Sequence, residues 1–125
     1  MKIFVGGGAG FIGSNFIRYI FKKHPGAEIL NYDALTYSGN LDNLKDIEKD
    51  RRYRFIKGNI ADKKKLYSVF EKNKPDYVIN FAAETHVDRS IHVGAKEFIN
   101  TNVVGVFNIL ELVKSDPKIK NYVQV

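Results

Sequence analysis

The sequence predicts an α/β domain built on a doubly wound parallel sheet. Three observations carry that prediction. Strand-length apolar runs alternate with amphipathic helical runs along the whole chain; the first strand opens into Gly7-Gly8-Ala9-Gly10-Phe11-Ile12-Gly13; and an acid, Asp33, closes the second strand twenty positions after Gly13. Such alternation yields parallel strands joined by right-handed crossovers. The expected strand order is 3-2-1-4-5, with a ligand lying across the carboxyl ends where the first and fourth strands diverge.

Each element has its own warrant. Lys2-Ile3-Phe4-Val5 reads as a buried strand, and Ile12, Phe16, Ile17, Ile20 and Phe21 form a helical stripe behind it. His24-Pro25-Gly26 punctuates, and residues 28–33 form the second strand. Residues 34–40 make a loop, after which Leu41, Leu44 and Ile47 mark a short amphipathic helix. Tyr53 to Lys57 is the third strand. Asp62 caps a helix whose Leu66, Val69 and Phe70 face inward, and Lys74-Pro75-Asp76 ends it. Tyr77 to Asn80 is the fourth strand, followed by a loop from Phe81 to about His92. A long helix then aligns Phe98, Ile99, Val103, Val106, Phe107, Leu110 and Val113 on one stripe, and residues 122–125 start a fifth strand.

The glycine segment is where chemistry enters. It reads in two frames, Gly8-x-Gly10-x-x-Gly13 and Gly7-x-x-Gly10-x-x-Gly13. In either, the backbone turns tightly and approaches a pyrophosphate that side chains would block, while the following helix aims unpaired N–H groups and a positive dipole end at the phosphates. Asp33 stands where an acid receives the adenosine ribose hydroxyls, and its charge repels a 2′-phosphate. The fold is therefore of the Rossmann type, and the predicted cofactor is NAD rather than NADP.

Composition narrows the remainder. A chain of 125 residues, 44% hydrophobic and 13% aromatic, makes one domain at most with a real core. No stretch approaches the ~20 apolar residues of a membrane helix, and glycines at once break the N-terminal apolar run, unlike a secretory signal. The absence of cysteine excludes disulfides and thiolate chemistry and fits a cytoplasmic protein. The net charge of +6 comes from clusters on different elements, Lys22-Lys23, Lys49 with Arg51, Arg52 and Arg54, and Lys63-Lys64-Lys65. That dispersion describes a solvated basic exterior around a site for anionic ligands, and no nucleic-acid or membrane partner is expected.

Further along, Ala82 and Ala83 follow the fourth strand, where small side chains either let a flat ring lie close or pack against the facing helix. Glu84, His86, Asp88 and Arg89 crowd one loop; on residue type alone they read equally as a ligand loop or as a solvated, salt-bridged one.

Four segments, Gly7-Gly8-Ala9-Gly10-Phe11-Ile12-Gly13-Ser14-Asn15-Phe16, Asp33-Ala34-Leu35-Thr36-Tyr37-Ser38-Gly39-Asn40, Phe81-Ala82-Ala83-Glu84-Thr85-His86-Val87-Asp88-Arg89-Ser90 and Thr101-Asn102-Val103-Val104-Gly105, together closely resemble the dTDP-glucose 4,6-dehydratases of the extended short-chain dehydrogenase/reductase superfamily. The resemblance implies a lyase that keeps NAD bound, oxidises C4 of dTDP-glucose, eliminates water across C5 and C6 and reduces C6. It implies that Gly7, Gly10, Phe11, Ile12 and Gly13 attend the pyrophosphate, and that Asp33, Ala34, Leu35 and Thr36 line the ribose. Asn59 and Ile60 then edge the adenine, Phe81, Ala82, Ala83 and Glu84 with Thr101 lie at the nicotinamide half, and His86 faces substrate. It also implies a homodimer.

Two residues depart from the family pattern. Gly6 replaces a usual Thr, which predicts a looser loop. Asn59 replaces a usual Asp and is expected to accept from the adenine amino group through its amide oxygen.

The superfamily's Tyr-x-x-x-Lys pair is not found in a competent position. Tyr19 and Lys23 lie on the first helix, and Tyr53 and Lys57 lie on a strand, where four residues span ~13 Å. No catalytic residue and no metal ligand is therefore expected in residues 1–125, which read as the NAD-binding part of a protein whose catalytic and substrate-binding portion lies elsewhere. A free-standing, non-catalytic NAD-binding module and a nucleotide-sugar epimerase are the rival readings.

Overall fold

The computed structural model describes residues 1–85, 91 and 95–125. Strand β1 (Lys2–Gly6) leads through helix α1 (Phe11–Lys23) to β2 (Glu28–Asp33). A single 3-10 turn (Leu41–Leu44) precedes β3 (Tyr53–Lys57), then α2 (Lys63–Asn73) and β4 (Tyr77–Asn80). Helix α3 (Lys96–Phe98) runs without a break through a π-helical segment (Ile99–Gly105) into α4 (Val106–Ser115), and β5 (Asn121–Gln124) follows. The strands pair parallel in the order β3-β2-β1-β4-β5, as the alternation predicts.

Central strands of a parallel sheet are apolar on both faces because helices cover both. From β1, Phe4 joins Tyr32, Leu66, Phe70 and Ile109 on the face covered by α2 and α4. Ile3 and Val5 join Ile17, Ile20 and Phe21 of α1 on the other. The Phe4 ring lies 4.6 Å from Phe70 and 5.6 Å from Tyr32, centroid to centroid, and is fully buried. Each such side chain contributes roughly 1.5–3 kcal/mol relative to exposure. Asp62 caps α2 as expected, its Oδ1 accepting from Lys65 N–H at 3.1 Å. Lys74 closes that helix in the left-handed conformation.

Four local expectations give way. Leu41 and Leu44 start only one 3-10 turn; Leu44 is buried, but the helix does not reach Ile47. Ile12 leaves the α1 stripe and is 60% exposed, the buried positions being Gly13, Ser14, Ile17, Ile20 and Phe21.

The long helix turns a different face to the sheet: Gly105, Asn108, Ile109 and Leu112 are buried, whereas Ile99, Val103, Phe107 and Leu110 are exposed. Periodicity cannot choose between two apolar sides of one helix. The choice falls to Gly105, where a Cβ would stand 2.5 Å from Ile60 Cγ1, and to Asn108, whose Nδ2 donates to the Ile60 carbonyl at 3.0 Å. Finally, Gly6 is not a loose loop residue. It ends β1 in register with Tyr32 and Asn80, and its carbonyl accepts from Phe81 N–H at 2.7 Å.

Candidate functional site

At the carboxyl ends of β1, β2, β3 and β4 lies a cleft of about 380 Å³. Its wall includes Gly7 and Gly10 from the first turn, Asp33, Ala34 and Thr36 after β2, and Asn59 and Ile60 after β3. Phe81, Ala82, Ala83 and Glu84 after β4, with Thr101 of the π-helical segment, line it as well. Tertiary structure thus gathers twelve predicted residues into one wall. Phe11, Ile12, Gly13 and Leu35 are not in it. His86 falls outside the described residues.

Geometry selects between the two glycine frames. Gly7 has φ +72°, and a Cβ on it would lie 2.5 Å from the Ala82 nitrogen, so this residue makes the turn. At Gly8 a Cβ would strike Asn31 Oδ1 at 2.3 Å, which makes that position a packing glycine. Gly13 brings α1 against the turn: its Cβ would stand 2.4 Å from the Gly7 carbonyl oxygen. Gly10 differs from all of these. A Cβ there meets only the Gly7 oxygen, at an ordinary 3.5 Å, and otherwise open space. The frame is Gly7-x-x-Gly10-x-x-Gly13.

Helix α1 starts at Gly10 with no side-chain cap and no acid in its first turn. The N–H groups of Phe11, Ile12 and Gly13 therefore lack intrahelical acceptors and present a partial positive charge. The Phe11 and Ile12 side chains are exposed.

Asp33 does more than face the cleft. Its Oδ2 accepts from Ala9 N–H at 2.9 Å and its Oδ1 from Leu35 N–H at 2.8 Å, while the residue is buried. The Ala9 carbonyl in turn accepts from Asn40 N–H at 3.1 Å and Asn43 Nδ2 at 2.9 Å. The glycine turn is thus tied to the segment after β2 from both sides of one peptide residue. Leu35 is held at φ +53°, a costly conformation for a leucine, within that clasp.

Asn59 Oδ1, the atom expected to meet a base, accepts from Ala61 N–H at 2.9 Å. One lone pair on that oxygen is left. The Asn59 carbonyl accepts from the Tyr32 hydroxyl at 3.1 Å, and burial pushes the Tyr32 phenol up to about 12.

After β4, the Asn102 carboxamide brackets Glu84: Glu84 N–H donates to Oδ1 at 2.8 Å and Nδ2 donates to the Glu84 carbonyl at 2.9 Å. Tyr32, Ser38, Gly58, Glu97 and Asn100 also line the cleft and were missed. Their sequence positions offered a signal in four cases, since Tyr32, Gly58 and Asn100 each adjoin a predicted residue and Ser38 lies in the loop after β2; Glu97 has no such marker and reaches the wall only through the crossover. Among the described residues the wall carries the acids Asp33, Glu84 and Glu97 and no cationic side chain. The donors that the described wall offers are backbone N–H groups, the hydroxyls of Tyr32, Thr36, Ser38 and Thr101, and the carboxamides of Asn59 and Asn100. Tyr53, one of the two decoy tyrosines, accepts a hydrogen bond from Asn31 Nδ2 on β2 at 2.9 Å, away from this wall. Among the described residues no cluster of His, Cys or acids is arranged for a metal, and no helix is long and apolar enough to cross a membrane.

Known proteins share this chain's sequence and fold. A probable dTDP-glucose 4,6-dehydratase of Sinorhizobium fredii is 53% identical over 111 residues, 89% of this chain and 31% of that protein. The crystal structure of dTDP-glucose 4,6-dehydratase from Bacillus anthracis in complex with NAD superposes with a TM-score of 0.86 at 44% identity, covering 99% of this chain and 36% of that one. UDP-glucose 4-epimerase of Thermotoga maritima with UDP-glucose superposes as well, with a TM-score of 0.85, at 29% identity over 99% of this chain and 37% of that one. The backbone is common to dehydratase and epimerase, and identity separates them. The chain spans about a third of the length of these relatives. The family model described as GDP-mannose 4,6 dehydratase matches residues 4–124, nearly the whole chain, and the chain belongs to that family.

Proposed function

We propose that residues 1–125 are the NAD-binding part of a nucleotide-sugar 4,6-dehydratase acting on dTDP-glucose. The observation that carries this reading is Gly10. Its neighbours would tolerate a side chain, so the chain's own packing does not call for glycine there; a ligand against the cleft wall does. The residues fit the cofactor. Uncapped N–H groups of α1 would receive the pyrophosphate, Asp33 the adenosine ribose, Asn59 and Ile60 the adenine edge, and Ala82, Ala83, Glu84 and Thr101 the nicotinamide half. Bound NAD supplies hydride acceptance and return. This chain's residues bind and orient it, and the acid/base groups belong to the longer protein. Identity of 53% to a dehydratase against 29% to an epimerase favours the lyase.

Titration calorimetry with NAD and NADP tests the reading. Saturable NAD binding is expected, with NADP at least ~10-fold weaker because its 2′-phosphate meets Asp33. No NAD binding, or equal binding of the two, refutes it. For the whole protein, the reading requires a competent Tyr-x-x-x-Lys pair outside residues 1–125; 4-keto-6-deoxy sugar formed by residues 1–125 alone would contradict it. A homodimer is part of the proposal, supported by the exposed apolar stripe Ile99, Val103, Phe107 and Leu110. A cytoplasmic location accords with the absence of cysteine.

A further inference from the structure

The carboxamide of Asn80 is fully buried at the end of β4, behind the cleft wall, and its hydrogen-bonding capacity is spent on one neighbourhood. Nδ2 donates to the Ala82 carbonyl at 3.2 Å and to Gln124 Oε1 of β5 at 3.0 Å, while Oδ1 accepts from Ala82 N–H at 3.2 Å. One side chain therefore holds both polar groups of the Ala82 backbone. The β1–β4 ladder does not reach that far; its last bond runs from Phe81 N–H to the Gly6 carbonyl. Asn80 is also register partner of Gly6, and its Oδ1 occupies the space of a Gly6 side chain, 2.3 Å from where a Cβ would stand. Ala82 lies against the Gly7 backbone on its other side.

We propose that Asn80 is a positioning residue that sets the wall carrying the nicotinamide half of the dinucleotide, and that position 6 is glycine to leave it room. This rests on the dinucleotide reading above. The alternative is a buried asparagine that stabilises the fold as a whole, with no bias toward one half of the ligand.

Affinity for NAD and for ADP-ribose, which lacks the nicotinamide ring, separates the two in Asn80→Ala, Asn80→Asp, Gly6→Thr and the double variant Gly6→Thr with Asn80→Ala. Asn80→Ala is expected to weaken NAD about tenfold while ADP-ribose stays within about twofold. Asn80→Asp keeps the acceptor oxygen and the shape but cannot donate to the Ala82 carbonyl, so it shares the selective loss. It carries the comparison if thermal melting shows Asn80→Ala unfolded. Gly6→Thr displaces the carboxamide and copies the pattern, and adding Asn80→Ala to it costs nothing further. Equal losses for both ligands, no loss for NAD, or additive losses in the double variant overturn the proposal and leave the cofactor reading standing. Failure of the unaltered chain to bind either ligand overturns the cofactor reading itself.

Discussion

Gly10→Ala separates what the fold needs from what a ligand needs. At φ −76° and ψ 174° the Gly10 backbone suits any residue, and the new Cβ makes one ordinary contact at 3.5 Å. Restricting the unfolded chain gains ~0.4–1 kcal/mol. Alanine is a poorer N-cap than glycine by a comparable amount. The unliganded protein should therefore keep its stability to within ~0.5 kcal/mol. Gly13→Ala provides the contrast. Its Cβ would stand 2.4 Å from the Gly7 oxygen and 2.7 Å from Gly8 Cα, backbone atoms that cannot rotate away. Against backbone that cannot move, overpacking costs the upper part of its usual range, ~2–3 kcal/mol, and a helix-propensity gain of ~1 leaves a net loss of about 1–2 kcal/mol.

In binding, Gly10→Ala should be the more damaging, because its methyl group enters the space proposed for the pyrophosphate. A loss of at least ~100-fold in NAD affinity, about 3 kcal/mol, is expected. Urea unfolding and calorimetric titration of both variants measure the two quantities. If Gly10→Ala unfolds as easily as Gly13→Ala, or binds NAD within about threefold of the unaltered chain, the reasoning fails.

Asp33→Ala removes two bonds to a carboxylate and strands the buried Ala9 N–H, so urea unfolding should record a loss of about 3 kcal/mol even without ligand; a change under ~0.5 kcal/mol would deny the clasp. Gly105→Ala should destabilise by about 1 kcal/mol, since crowding of Ile60 outweighs the helix-propensity gain; a higher Tm would contradict the close approach. In alkali, unfolded Tyr32 ionises near pH 10 whereas burial holds the folded phenol to about 12, so its contribution is present below pH 10 and lost as pH climbs to 12. Tyr32→Phe should show a shallower alkaline limb. In acid, the Arg52 guanidinium holds Asp50 at about 2, so that stabilisation is present above the unfolded carboxylate's ~3.9 and fades as pH falls toward 2. Asp50→Asn should flatten the acid limb, and an unchanged pH profile would remove the pair from the account.

Strand order and the location of the cleft were legible in the sequence because they depend on local signals: strand and helix periods, glycines at fixed spacing, and an acid at a strand end; most of the remaining wall was legible only through the resemblance to a known family. Those signals act over a few residues, and the handedness of crossovers then leaves few ways to assemble the pieces. Tertiary structure decided the rest. Only packing could show that Gly7 turns while Gly8 merely accommodates Asn31, or which apolar face of α4 meets Ile60. Only the crossovers could bring Tyr32, Gly58, Glu97 and Asn100 to one wall. Asp33 gained its second role, and Gly6 its need for bareness, from partners 24 and 74 positions away along the chain. Such contacts leave no local pattern, since their geometry exists only once the sheet has brought distant strand ends side by side.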